Sequence, residues 1–461
     1  MNINDVRPVQ ITAAITITLL IAAAWLVLPN PIFILAVCFA PLLILFAINQ
    51  AFWLVILFVI FSFFRIHEAF PVIYDFKLPY ILSVGALGAM SFHILISRRL
   101  VVFWHPSLKW LIIFWALVII SIVFASSREI ALNTFMDKYW KIILMTLAIT
   151  WLITTPKQLA QMSKAIMVAG LLVGLVALYN ASNGIDIVEG TRVSIGRSFG
   201  SMLGDPNDLA LVLLFPLAFA ISQLVEKRSS LWLRGFAIIT CLILSLSILE
   251  TQSRGGLLGA LSIFCYFASK HVKCKTMLLV LTLAATLTLY IVAGINGRAS
   301  GGATEVGIDA SAMGRLYAWE AAFKMALDNP LTGVGLDNFY PNYFFYSPHW
   351  DGINHAVHST WFGVLAETGF IGLAVFIALM VSLIKTSLHS MSLLNRSSDV
   401  SLSVGANAIL GGLIGIIVSG TFLTQGFIWP IYILAALTIV VNRIVQTDFQ
   451  NEKLEPSQNQ K

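Results

Sequence analysis

Two histidines and a glutamate open one of the long apolar segments of the chain, in the stretch "INHAVHSTWFGVLAETGF" (residues 353–370). Because a free imidazole titrates near neutral pH, His358 could take a proton from a hydroxyl as a general base. Two alternatives stay open. His358 could be an interfacial histidine that only makes hydrogen bonds, or it could bind a metal ion together with His355 and Asp351.

An arginine at a membrane boundary is the second chemical signal. Arg254 lies between two apolar runs in "LSILETQSRGGLLGAL". A cation in that position is costly and by default marks a site, and its planar guanidinium suits the oxygens of a phosphate. Gly255 and Gly256 would let a ligand or another backbone come close. The alternative is an arginine that extends to the interface and pairs with Glu250.

Two further polar clusters lie in predicted loops. The first, in "FRIHEAFP", consists of Arg65, His67 and Glu68 and fits either an internally paired loop or a site. The second consists of Arg192, Arg197, Asp205 and Asn207. Several arginines near one histidine favour group transfer from a lipid-linked phosphate, because arginine binds phosphate and histidine can deprotonate a hydroxyl.

The segment Asp205-Pro206-Asn207-Asp208 also has a purely structural interpretation. Its residue types predict a turn that caps the following helix, with Asn207 or Asp208 as the N-cap residue.

Long apolar segments must hold these side chains in place. The 461 residues are 58% hydrophobic and only 11% charged, with a mean hydropathy of +0.88, whereas a soluble domain is about a quarter charged. Apolar runs long enough to cross a bilayer as helices recur from residue 10 to residue 445. The sequence therefore predicts an all-α polytopic membrane helix bundle of about 12–14 transmembrane helices. The alternating ten-residue segments of a membrane barrel are absent from the sequence.

The predicted spans are 10–28, 31–48, 51–64, 79–97, 108–125, 138–153, 161–180, 208–225, 231–249, 254–269, 277–294, 356–384, 404–422 and 426–445. They make residues 1–445 one integral-membrane domain, followed by a polar tail at 446–461 that we expect to be disordered and cytoplasmic. The first run is expected to be a retained span, since no signal-peptidase motif follows it.

Two predicted loops are long, at 181–207 and 295–355, and loops of this length are typical of functional segments. The second contains a predicted helix at 311–327 that places Arg315, Trp319 and Ala322 on one face. Asp328-Asn329-Pro330 is expected to end that helix.

The net charge of +6 is explained by membrane topology. Placing both termini in the cytoplasm puts most Lys and Arg residues in inside loops, and it puts the polar clusters described above on the periplasmic side. A nucleic-acid partner is therefore unnecessary to explain the positive charge.

The four cysteines, Cys38, Cys241, Cys265 and Cys274, have neither disulfide nor zinc-site spacing. No P-loop is present, and we expect no cofactor.

Four motifs, in this order, resemble those of one family: "GDPNDLALVLLFPLA", "TQSRGGLLG", "GRLYAWEAAFKMALDNPLTGVGLDNF" and "HSTWFGVLAETGFIGL". They are similar to blocks of the O-antigen ligase and O-antigen polymerase superfamily and cover about residues 190–385. Two positions depart from the family pattern. Ser359 replaces an asparagine after the histidine, and Trp361 replaces a tyrosine.

The resemblance implies a GT-C-type, inverting, metal-independent glycosyltransferase of the bacterial inner membrane with a periplasmic active site. Its donor would be a glycan on undecaprenyl diphosphate, and its acceptor would be a hydroxyl of lipid A-core. By the resemblance, His358 is the base, while Arg254, Arg315 and, more weakly, Arg197 hold the diphosphate. His355, Asn207 and Asp205 are possible supporting residues.

Glu367 is another possible supporting residue. Because a helix rises 1.5 Å per residue, Glu367 lies roughly 13 Å along the helix from His358, so we expect it to be a buried hydrogen-bonding group.

Ligase is the activity that we expect first, followed by polymerase or protein O-oligosaccharyltransferase. The alternative of another class is a transporter of lipid-linked glycans or anions, which would show internal repeats and polar residues inside its spans.

Overall fold

The computed structural model describes residues 31–70, 73, 76–273, 276–277, 310–394 and 399–458, together with 15–16, 18–19 and 22–23. Most of the predicted spans 277–294 and 10–28 lies outside these ranges, as does Cys274. Apart from one two-stranded hairpin, the regular elements in the described ranges are helices.

The helices before residue 184 are α1 (Pro31–Asn49), α2 (Ala51–Phe63), α3 (Ile66–Ala69), α4 (Leu78–Leu95), α5 (Pro106–Val123), α6 (Arg128–Thr134), α7 (Trp140–Leu152) and α8 (Pro156–Asn183), with a π-helix at Phe135–Tyr139 between α6 and α7. After them come the antiparallel strands β1 (Ile187–Val188) and β2 (Arg192–Val193) and two 3₁₀ turns at Arg197–Phe199 and Met202–Gly204. The remaining helices are α9 (Pro206–Val225), α10 (Leu231–Glu250), α11 (Arg254–Ser269), α12 (Ala310–Asp328), α13 (Phe339–Tyr346), α14 (Thr360–Leu393), α15 (Val400–Gly420) and α16 (Trp429–Gln458).

In the described ranges, eight helices are long and apolar enough to span a membrane: α4, α5, α8, α9, α10, α14, α15 and α16. A ninth span is possible as a bent pair, Phe39–Asn49 with Ala51–Phe63, which meet at 88°. The polytopic all-α bundle is therefore confirmed. The predicted runs 31–48 and 51–64 form this bent pair, whereas the runs 138–153 and 254–269 form α7 and α11, which are only 13 and 16 residues long.

Helix α9 forms the centre of the bundle, and 83% of its span is buried. It packs against α8, α10, α11 and α15. Gly256 and Gly259 of α11 permit this packing, since a Cβ atom there would lie 2.5 Å from Ala210 and from Leu214 of α9, respectively. The expected close approach at Gly256 is therefore real, and it is made by a neighbouring helix.

The bundle has two ends, which we distinguish by their loops. The upper end carries residues 124–138, 184–205, 251–253 and 421–428. Contacts join these segments to one another, such as Arg192 to Thr251, and to the first turn of α9, such as Gln425 to Asp208. The lower end carries residues 98–105, 153–155, 226–230 and 270–273, with contacts such as Trp151 to Phe103.

Helix α14 is broken at Gly369, whose φ of 71° and ψ of −172° are not helical. The break frees backbone groups inside the bundle, and the segment after α12 bonds to two of them. Phe370 N donates to Pro330 O at 2.9 Å, and Val334 N donates to Ala366 O at 2.8 Å. Helix α12 ends at Asp328, as predicted, and its following turn therefore docks on the break in α14.

The last helix is longer than expected. The predicted span ends at residue 445, yet α16 continues to Gln458. Most of the segment predicted to be a disordered tail is therefore helical in the structure.

Candidate functional site

His358 immediately precedes α14 at the upper end, and two contacts from α12 fix its position. Trp319 Nε1 donates to the carbonyl oxygen of Val357 at 3.0 Å. The Trp319 ring also stacks on Phe362, with ring centres 5.1 Å apart. Arg315 lies one turn before Trp319 on α12, so these contacts also bring the guanidinium toward His358.

The backbone at His358 is unusual because its φ of +45° lies in the left-handed region. The next residue, Ser359, is the N-cap of α14, and its hydroxyl accepts from Phe362 N at 3.5 Å. Ser359 therefore caps the helix at the position where the family has an asparagine. A non-glycine residue with this φ is uncommon and draws attention to the side chain that it orients.

Burial and nearby charged groups change the pKa of the His358 imidazole. Burial is the main cause that lowers the pKa of His358 below its usual 6.5, and Arg315 lowers it further. His355 and Arg192 act in the same direction, while Asp205 opposes them. Neither ring nitrogen hydrogen-bonds to a residue in the described part of the chain. His358 is thus a neutral imidazole at neutral pH, and its unprotonated ring nitrogen can accept a proton.

Arg192 is the buried centre of a network that joins three segments, and only 3% of the residue is exposed. Its Nη2 donates to Asn207 Oδ1 at 2.8 Å and its Nε to Thr251 O at 3.0 Å. The Ser253 hydroxyl donates to the same Asn207 oxygen at 2.9 Å. The hairpin, the start of α9 and the α10–α11 turn are therefore held together.

This network positions Arg254. Ser253 is the N-cap of α11, and Arg254 is its first helical residue. Arg254 as a residue is partly exposed at the upper end, one residue after a hydroxyl that is held by Asn207.

One prediction in this region needs correction. Asp205, and neither Asn207 nor Asp208, is the N-cap of α9, and its carboxylate accepts from Asn207 N at 2.7 Å. The reason is that Pro206 prefers the first helical position, which makes the preceding residue the cap. Arg197 lies exposed on a 3₁₀ turn, and its role toward a diphosphate stays a prediction, whereas the burial of Arg192 was not predicted.

The other predicted residues lie apart from His358 or are paired elsewhere. Glu367 Oε2 accepts from Asp337 N at 2.9 Å, which fits a buried hydrogen-bonding group. His355 donates to the Asp351 carboxylate at 3.0 Å. Among the described residues no cluster of three His, Cys, Asp or Glu could hold a metal ion, so the proposed triad of His355, His358 and Asp351 is not assembled.

The cluster in "FRIHEAFP" is internally paired. Glu68 is buried and accepts from the Arg65 guanidinium and from the Ser201 hydroxyl. It therefore ties the α2–α3 corner to the turn that leads into α9.

The Asn207 amide should be important for stability. Replacing Asn207 by alanine leaves the buried Arg192 and Ser253 groups without their shared acceptor, which we expect to cost about 1–3 kcal/mol. Thermal unfolding of purified protein measures this loss as a lower Tm. Asn183→Ala is the control, because Asn183 is exposed at the same end and bonds only within its own helix turn. An unchanged Tm for Asn207→Ala would contradict the role of the network.

The chain was compared with known protein families and with curated proteins. Residues 239–377 match the O-Antigen ligase family, and this segment contains Arg254, Arg315, Trp319, His358 and the break at Gly369. No curated protein matches the chain. The match supports an activity of the O-antigen ligase or polymerase type in a multi-pass membrane protein. Residues 239–377 are therefore similar to the O-antigen ligase family, which supports the resemblance drawn from the four motifs.

Proposed function

We propose that the chain transfers a glycan from undecaprenyl diphosphate to a hydroxyl of lipid A-core, as an O-antigen ligase of the bacterial inner membrane. The observation that supports this proposal most directly is the environment of His358. Its imidazole is neutral, makes no hydrogen bond to the described residues, and is held beside Arg315 at the membrane boundary. Such a group can accept a proton at the place where a cation can bind a diphosphate.

The proposed reaction is a single displacement. The acceptor oxygen forms a bond to the anomeric carbon while the bond from that carbon to the diphosphate oxygen breaks. The hydroxyl proton passes to a ring nitrogen of His358, and undecaprenyl diphosphate leaves with the electron pair. One displacement inverts the anomeric configuration, and no metal ion is required by this scheme.

Arg315 and Arg254 would hold the donor diphosphate. Both residues are partly exposed at the upper end. Charge that builds on the leaving oxygen would be stabilised by these preoriented cations. Arg192 has a different role in the proposal, because its hydrogen bonds to Asn207 and Thr251 make it a positioning residue for the turn that carries Arg254.

The distribution of charge supports a periplasmic upper end. The lower end carries basic residues next to the spans, among them Arg98, Arg99, Lys157, Lys227, Arg228, Lys270 and Lys273. Because cytoplasmic loops hold the excess of Lys and Arg, the lower end would be cytoplasmic. The site at the upper end would then face the periplasm, with both termini in the cytoplasm.

Reconstitution tests the proposal. Purified protein is incubated with an undecaprenyl-diphosphate-linked glycan and lipid A-core, without nucleotide and with EDTA. Transfer of glycan to lipid A-core is the expected result. Growth of the glycan chain without transfer to the core would assign a polymerase instead. Absence of transfer to any acceptor, combined with movement of the lipid-linked glycan between leaflets, would overturn the enzyme proposal and favour a transporter.

A further inference from the structure

A cavity with one basic side lies at the lower end, on the opposite side of the bundle from His358. It encloses about 430 Å³ between the ends of α9 and α11 and the beginning of α15. We call it the basal pocket. Its polar side is lined by Lys227, Arg228, Lys270, His271, Ser403 and Asn407.

The charges in the basal pocket are unbalanced. Glu226 is the one carboxylate among its described lining residues, and it is already paired. The Arg228 Nε donates to Glu226 Oε1 at 3.1 Å, and Ser403 also hydrogen-bonds to this carboxylate. In the described part of the chain, Lys227, Lys270 and His271 form no ion pair with a carboxylate, which leaves the pocket with an excess of positive charge.

Lys270 is only partly shielded from water, and the groups that contact its ammonium are neutral. Its ammonium group hydrogen-bonds to Asn407 Oδ1 and lies 4.6 Å from the centre of the Tyr266 ring. Partial burial lowers the pKa of Lys270 to about 8. The one carboxylate among the described lining residues is paired with Arg228, so a bound anion could stabilise the charged form of Lys270.

The remaining wall of the pocket is apolar. Val225, Phe267 and Met391 line it next to the polar side. A ligand with a phosphate and an acyl chain matches this division, and basic pockets between transmembrane helices are known to bind anionic lipid headgroups.

We propose that the basal pocket binds a phosphate ester, supplied by the headgroup of an anionic phospholipid. Its phosphate would contact Lys227 and Lys270, and its acyl chains would follow the apolar wall into the bilayer. This proposal does not depend on glycan transfer, because the pocket and the site lie at opposite ends of the bundle.

Thermal unfolding in mixed micelles tests the proposal. The full-length chain is purified in a neutral detergent, delipidated, and titrated with phosphatidylglycerol, with phosphatidylcholine or with inorganic phosphate, and the Tm is recorded. A ligand that binds only the folded state raises the Tm as its concentration increases. The double variant Lys227→Gln/Lys270→Gln removes the proposed contacts. Lys157→Gln/Lys164→Gln is the matched control, since both lysines are exposed near the lower end and outside the pocket.

We expect phosphatidylglycerol to raise the Tm of the wild type and of the control, and phosphatidylcholine to have little effect. At about 1 kcal/mol for each basic residue near a phosphate, the pocket variant should bind phosphatidylglycerol about 10- to 30-fold more weakly. An equal response to inorganic phosphate, lost in the pocket variant, would support the phosphate site and assign a soluble ester as its source. An equal response of the pocket variant and the control to phosphatidylglycerol would overturn the proposal.

Discussion

Replacing His358 by asparagine should reduce glycan transfer by about 10²- to 10⁴-fold, the usual contribution of a general base. Asparagine is the informative substitution because it tolerates the left-handed backbone that His358 adopts at φ +45°. The fold should be unaffected, since the imidazole makes no hydrogen bond to any residue that the structure describes. Initial rates with undecaprenyl-diphosphate-linked glycan and lipid A-core, together with the Tm, measure both effects.

His355→Asn is the matched control for this substitution. His355 lies three residues earlier in the same segment, but its imidazole is bonded to the Asp351 carboxylate. We expect its transfer rate to remain within a few-fold of the wild type. Equal losses in the two variants would show that the segment matters only structurally, and full activity of His358→Asn would exclude His358 as the base.

The second large effect that we expect is a loss of stability when the break in α14 is altered. Gly369→Ala places a Cβ atom 2.6 Å from Pro330 O, in a region of φ and ψ that is almost restricted to glycine. Strain of about 1–3 kcal/mol adds to this clash, so the folded protein should be strongly destabilised. Because the turn after α12 docks at this break, the position of Arg315 beside His358 should be lost as well.

Gly235→Ala is the control for Gly369→Ala, since a Cβ atom at Gly235 meets nothing within 4 Å and its helix is regular. Its stability should be unchanged or slightly higher, because glycine in a helix is less favourable than alanine by about 0.5–1 kcal/mol. The Tm and the fraction of monodisperse protein after detergent extraction compare the two variants. A Gly369→Ala protein as stable as Gly235→Ala would mean that the break is not required.

The parts of the α12–α14 region that could be predicted are those that depend on neighbouring residues in the sequence. The helix expected at 311–327 is observed as Ala310–Asp328, because its periodicity and the Asp-Asn-Pro stop are properties of the segment itself. The placement of Arg315 and Trp319 on one face follows from the same periodicity. Trp319 then contacts the backbone next to His358, and this contact could not be read from spacing.

Features that depend on distant segments were missed. Arg192 and Arg197 lie five residues apart in a polar loop, and only the contacts with Asn207 and Thr251 show that Arg192 is the buried one. The break at Gly369 lies within an apolar run that predicts a continuous span. It forms because Pro330 and Val334 supply hydrogen-bond partners from more than 30 residues away.

The pH dependence of transfer tests most directly whether His358 is the base and Arg315 its neighbour. The proton must be accepted by neutral His358, so kcat/KM should fall as the pH decreases through the pKa of His358, which burial and Arg315 hold below 6.5. Arg315→Gln removes a cation that favours the neutral form, and its acid limb should therefore move to higher pH. Donor binding should also weaken in this variant. The comparison with the wild type therefore uses the pH at which the acid limb falls, and not the maximum rate. An acid limb at the same pH in both proteins would contradict the proposed pairing of His358 with Arg315.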